Sequence, residues 1–206
     1  YYGDVNSEFD AYLTETYDGN LVFCSKISIP TSTQSKRGYA CKISIEDGTV
    51  MWDRVYQSMR SGNVSFIKPI ELEDHSLVFA ARDRAPVYEN GEIVAYPNAG
   101  VLAKVTAEGD SLWLRRFIWD EEQWTGGYFW DFIQTPDGGF IACGDVQLND
   151  DYPSQDTWVV KVDEHGCLVP GCHVGVVEEG MQVGFKTYPN PATDIINMYI
   201  ESNKVI

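Results

Sequence analysis

Residues 131–145 read DFIQTPDGGFIACGD, and residues 157–172 read TWVVKVDEHGCLVPGC. The first stretch is a short strand, a turn centred on Asp137 and a second, mostly apolar strand. The second stretch repeats the arrangement around a turn that ends in Gly166. Glycine supplies the positive φ that a tight reversal needs, so the two stretches together predict two hairpins in series.

The pattern occurs twice more. Residues 11–26 (AYLTETYDGNLVFCSK) and 67–82 (IKPIELEDHSLVFAAR) match the first stretch, with turns at Asp18 and Asp74. Residues 38–56 (GYACKISIEDGTVMWDRVY) and 100–117 (GVLAKVTAEGDSLWLRRF) match the second. Lys42, Lys104 and Lys161 fall in step, as do the turn glycines Gly48, Gly109 and Gly166. Trp52 and Trp113 occupy the strand after the turn, a position that becomes Val169 in the third copy.

Four short antiparallel strands recurring at intervals of about 60 residues predict an all-β chain of stacked blades, because one such sheet cannot bury both faces alone. The expected fold is a β-propeller segment of about three four-stranded repeats, covering approximately 9–56, 66–117 and 129–172 within residues 1–172. A β-sandwich with chance hairpin similarity is the competing architecture. The opening Tyr1-Tyr2-Gly3-Asp4 matches the tail of a fourth strand, which leads us to expect further repeats upstream and a larger propeller.

The totals narrow the function. The chain has 206 residues, is 44% hydrophobic and carries 15 Lys and Arg against 31 Asp and Glu, a formal charge of −16. That charge repels phosphate backbones and anionic lipid, so neither nucleic acid nor a membrane surface is an expected partner. No apolar run is long enough to span a bilayer as a helix. Cys24, Cys41 and Cys143 lie in apolar strand-like runs and read as small core residues. Cys167 and Cys172 flank a Pro-Gly turn that can bring them to bridging distance, where closing the short loop stabilises by about 2 kcal/mol. Reduced thiols, or half of a metal site, are the alternatives, although no second pair has the spacing to complete such a site. A bridge would mark an oxidising compartment.

With these residues laid out, a family resemblance appears. The stretch from Thr135 to Cys172 resembles the propeller repeats of large exported proteins of Bacteroidota, in which a DGGF hairpin precedes D-x-W-V-V-K-x-D-x-x-G. Residues 188–200, YPNPATDIINMYI, are similar to the opening of the C-terminal sorting domain recognised by the type IX secretion system. The resemblance implies an exported or surface-attached cargo whose sorting motif is Tyr188, Pro189, Asn190 and Pro191. It also implies a β-sandwich sorting domain, of which residues 188–206 carry only the first strand before Ile206. The secretion machinery would be one partner.

Local physics agrees with an extended start. Pro189 and Pro191 fix φ and push the residues before them out of helix, giving a stiff spacer. Ile196, Met198 and Ile200 then fall on one strand face, with Asn197, Tyr199 and Glu201 on the other. Residues 173–187 lack strong periodicity and read as a linker or a covering strand.

Chemistry is sparse. His75 and His165 occupy turns and His173 follows the cysteine pair, so triad and zinc chemistry have no support and no catalytic residue or cofactor is assigned. Trp119, Trp124, Tyr128 and Trp130 surround Asp120, Glu121 and Glu122. Rings beside carboxylates suit a glycan, since rings stack on sugar C–H faces while acids accept hydroxyl hydrogen bonds, but the same rings also suit packing between blades. Asp145, Asn149, Asp150, Asp151 and Asp156 offer oxygen ligands without EF-hand spacing, and a solvated loop is the expectation. The sequence thus reads as a binding or scaffold module for a glycan or protein ligand, with an accessory region of a secreted polysaccharide or peptide hydrolase as the alternative.

Overall fold

The computed structural model describes residues 8–28, 36–56, 64–84, 86–119, 126–147, 155–168, 171–172, 183–188 and 197–202. The described residues form antiparallel sheets and no α-helix. The chain divides into two compact units, Tyr1–Pro170 and Gly171–Ile206.

The first unit holds three successive sheets. Strands β1 (Glu8–Glu15), β2 (Leu21–Ser28), β3 (Lys36–Ile43) and β4 (Val50–Tyr56) form the first, paired in chain order. The second contains β5 (Ser65–Glu71), β6 (Leu77–Arg84), β9 (Asn98–Val105) and β10 (Ser111–Phe117). Between β6 and β9 the chain makes a separate hairpin of β7 (Val87–Glu89) and β8 (Glu92–Ala95). Its turn is Asn90-Gly91, both at positive φ (51° and 85°), as a two-residue hairpin of this hand requires. The third sheet has three strands among the described residues, β11 (Gly127–Gln134), β12 (Phe140–Gln147) and β13 (Gln155–Val162). Val169, where the repeat would place a fourth strand, lies outside the described residues.

Burial follows position in the stack. The second sheet is covered on both faces, so β6 and β9 bury nearly every residue in turn. Strand β13 reads as a continuous apolar run, WVVKV, yet alternates strictly: Trp158 and Val160 are buried while Val159 is 60% exposed. One of its faces packs on the second sheet and the other is open.

Two cores result. Between the first and second sheets, Val22, Cys24 and Ala40 meet Phe66, Phe79 and Val101, with the Phe66 and Phe79 rings stacked at 4.9 Å and 12°. Between the second and third, Val78, Ala80 and Leu102 meet Phe129, Phe140 and Val160. Each fully buried phenylalanine contributes about 2–3 kcal/mol of apolar transfer energy, so these interfaces dominate the unit's stability.

The repeated residues of the sequence turn out to be contacts. Each turn aspartate pairs with the repeat's own lysine: Lys42 Nζ to Asp18 Oδ2 at 2.7 Å, Lys104 to Asp74 at 3.1 Å, and Lys161 to Asp137 at 2.8 Å. The other carboxylate oxygen accepts the backbone N–H two residues on, from Asn20, Ser76 and Gly139 respectively. One aspartate therefore closes the turn locally and ties it to the third strand. In the second repeat the left-handed turn position is His75, at φ 64°, where its counterparts are Gly19 and Gly138.

Tryptophan and glycine join neighbouring sheets. A Cβ on Gly109 would stand 2.9 Å from the Trp52 ring, and one on Gly166 3.0 Å from the Trp113 ring. Each indole lies over the turn of the following repeat. A second joint runs the other way, with Phe66 over Gly38 and Phe129 over Gly100, at 3.0 and 2.7 Å from a notional Cβ. Glycine is required at these positions because the ring fills the space of its side chain.

In the second unit, β14 (Val183–Tyr188) pairs antiparallel with β15 (Asn197–Ser202), Tyr188 opposite Asn197. β14 lies inside the 173–187 stretch read as a linker or covering strand and runs on through Tyr188. Pro189, Asn190 and Pro191, which the resemblance implies as part of a sorting motif, lie outside the described residues.

Candidate functional site

The first unit has two chemically different ends. One carries the hairpin turns with Asp18, Asp47, Asp74, Asp137 and Asp163, whose carboxylates each accept from their own turn or from a lysine. The Lys42 ammonium, followed by the Thr16 hydroxyl, holds the Asp18 carboxyl well below the usual carboxylate range. The Ser76 hydroxyl is the main cause of a lowered pKa at Asp74, and the Lys161 ammonium of a lowered pKa at Asp137. Asp18, Asp74 and Asp137 each accept three hydrogen bonds from their own repeat, which gives them a structural role in the turns.

The opposite end carries a groove of about 210 Å³ that draws on all three sheets. Lys26 lies near the end of β2, Lys36 begins β3, Arg82, Asp83 and Arg84 end β6, and Tyr128 is the second residue of β11. Asp83 is 2% exposed and is held by Arg116, Nε to Oδ2 at 3.0 Å. The Tyr128 hydroxyl donates to Asn98 Oδ1 at 2.6 Å, and burial raises its pKa despite the nearby Arg84 and Arg82. The guanidinium of Arg82 lies 4.1 Å over the Trp130 ring and 5.8 Å from the Tyr128 centroid. Its Nε is buried and has no hydrogen-bond partner among the described residues. Arg84 donates from Nε to the Tyr96 carbonyl at 3.3 Å and is otherwise exposed.

The aromatic residues singled out by sequence divide. Tyr128 and Trp130 meet at Arg82, while the Trp130 indole also donates to Asp145. Trp119 is 52% exposed and packs edge-on against Trp158 at 6.4 Å and 89°. No ring contact joins Trp119 to Tyr128 or Trp130 among the described residues. Trp124, Asp120 and Glu121 lie outside the described residues, as do Asn149, Asp150 and Asp151. Asp156 starts β13 exposed. Among the described residues no group of three or more His, Cys, Asp or Glu is placed to hold a metal ion.

Sequence reasoning missed the cations. Lys26, Arg82 and Tyr128 are distant along the chain, and only the stacking of the sheets brings them to one groove. Cys167 and Cys172 are disulfide-bonded, whereas Cys24, Cys41 and Cys143 are free. No helix among the described residues is long and apolar enough to cross a membrane. No family model matches the chain, and no curated protein matches it.

Proposed function

We propose that this chain is part of a β-propeller-type repeat protein, exported as cargo of the type IX secretion system, that serves as a binding or scaffold module at the cell surface or outside the cell. The observation that carries the reading is the recurrence of one joint between successive sheets, an indole over the next turn's glycine, which is what a repeat that stacks on its neighbour calls for.

Two further features support it. The outer faces of the first and third sheets keep apolar side chains in solvent, Leu13 and Val55 on one, Ile133 and Val159 on the other, as members of a longer stack would. The Cys167–Cys172 bridge suits an oxidising compartment. The export address rests on Tyr188 to Pro191 and the alternating strand that follows.

The test is localisation in cells that naturally make the chain. Protease treatment of intact cells and blotting of the medium should find it outside, with Cys167 and Cys172 oxidised. Recovery solely from the cytoplasm, while a known exported protein reaches the medium, would overturn the export reading.

A further inference from the structure

We propose that the β7–β8 hairpin is a docking element for a protein partner that offers an apolar cleft rimmed by lysine or arginine. This surface deepens the binding reading and rests on it, but not on the export address.

The hairpin is an addition to the repeat. Residues 85–97 join β6 to β9, whereas only 29–35 and 148–154 join the corresponding strands of the other two sheets. Its base is fixed in the body. Pro86, Val87 and Pro97 are buried, Arg84 Nε donates to the Tyr96 carbonyl at 3.3 Å, and Arg116 Nη2 donates to the Pro97 carbonyl at 3.2 Å. A two-stranded hairpin alone is marginal in water, so these anchors and the Asn90-Gly91 turn hold a shape that would otherwise be lost. A shape held in advance lowers the ordering cost of binding.

Beyond the base the side chains face solvent. Every residue from Tyr88 to Val94 is exposed, and Tyr88, Ile93, Val94 and Tyr96 are 54, 44, 46 and 50% exposed. Tyr88 stands directly across from Ile93. A tyrosine beside an aliphatic side chain, raised on a rigid support, has the composition of an interface anchor.

The charge pattern points to the partner. Glu89 and Glu92 sit directly opposite one another beside the turn, and like charges so placed repel. Neither has an ion pair among the described residues, whose lysines and arginines pair with other acids. The glutamate pair therefore weakens the free hairpin and gains from a cation brought by another molecule.

Shape and charge choose among occupants. A projecting hairpin enters a cleft, whereas a sugar or other small molecule needs a concavity in this chain itself. The two glutamates at its outer end repel anionic headgroups and phosphate backbones. A second copy of the chain, at net charge −16, adds negative charge where a cation is called for. A basic, cleft-bearing protein meets both requirements.

The experiment replaces Tyr88 by the photo-crosslinking residue p-benzoylphenylalanine in cells that naturally make the chain. The control replaces Leu112, which lies on β10 and is 53% exposed. Tyr88 should give one discrete protein adduct that Leu112 does not. The captured protein, purified, should bind the unmodified chain less tightly as salt rises. Tyr88→Ser and Ile93→Ser should each weaken that binding at least about tenfold, and Glu89→Gln with Glu92→Gln severalfold. Without the partner, Glu89→Gln with Glu92→Gln should raise the chain's thermal midpoint, and the serine variants should leave it unchanged. No adduct at Tyr88, an equal adduct at Leu112, an adduct with a second copy or with lipid, or binding indifferent to these variants would each overturn the proposal. So would a lower midpoint in the glutamine variant, because the glutamates would then serve the fold. These readouts follow the contact in whichever compartment the chain resides, so they stand or fall separately from the localisation test.

Discussion

The indole of Trp52, on the fourth strand of the first sheet, lies over Gly109 in a turn of the second sheet and donates from Nε1 to the Ala107 carbonyl at 2.9 Å. The joint is covered by Tyr56, whose buried hydroxyl donates to the Gly109 carbonyl at 2.7 Å. Two side chains of one repeat thus read the backbone of the next. Gly109 has φ +84°, so an alanine there meets both a disfavoured backbone and a rigid ring.

Gly109→Ala should therefore destabilise by roughly 2–4 kcal/mol, combining the left-handed backbone cost with overpacking against the indole. Gly19 has nearly the same φ, +79°, with nothing within 4 Å of its Cβ position. Gly19→Ala should cost only about 1 kcal/mol, the backbone part. Urea denaturation of the two variants separates the contributions, and equal losses would remove the indole from the explanation.

Acid should weaken the fold through the turn aspartates. Asp18, Asp74 and Asp137 all have folded pKa values below their ordinary value of 3.8. Depressed carboxylates contribute stability that is present above the unfolded pKa and lost as pH falls through the folded one. Thermal midpoints should accordingly hold from neutral pH to about 5 and fall below about 4. Replacing all three by asparagine should lower the midpoint at neutral pH and flatten the acid limb; an unchanged slope would contradict the ion-pair account.

Thiol chemistry should be selective. Burial pushes the Cys41 thiol up to about 11 and the Cys24 thiol higher still, so both stay protonated and shielded at neutral pH. Cys143 is half-buried on the open face of the third sheet. Alkylation of the native protein should label Cys143 first, and its intact mass should be lower by the two hydrogens lost to the Cys167–Cys172 bridge. Labelling of Cys24 at the rate of Cys143 would place that thiol outside the core.

Much of the stack was legible in the sequence because the recurring residues are the contacts. Asp18 and Lys42 recur together since they form one ion pair, and Trp52 and Gly109 recur because one covers the other. The partner was harder to read than the period: nothing local says that a tryptophan belongs with the glycine of the following repeat. The pairing of Phe66 with Gly38 escaped for the same reason, although Gly38 and Gly100 stand four residues before the repeated lysine. The β7–β8 hairpin was passed over despite Asn90-Gly91, a strong hairpin signal, because the insertion has no counterpart in the other repeats. For the site, the aromatic run drew attention to Tyr128 and Trp130, but the cation that joins them, Arg82, belongs to the neighbouring sheet.

The most direct test of face-to-face stacking in this order is a set of nuclear Overhauser contacts measured on the isotopically labelled chain. Ring protons of Trp52 should show strong contacts to the Gly109 Hα protons, and those of Trp113 to Gly166. If both indoles show contacts only within their own sheets, the sheets do not stack as repeats and the propeller-type reading falls with them.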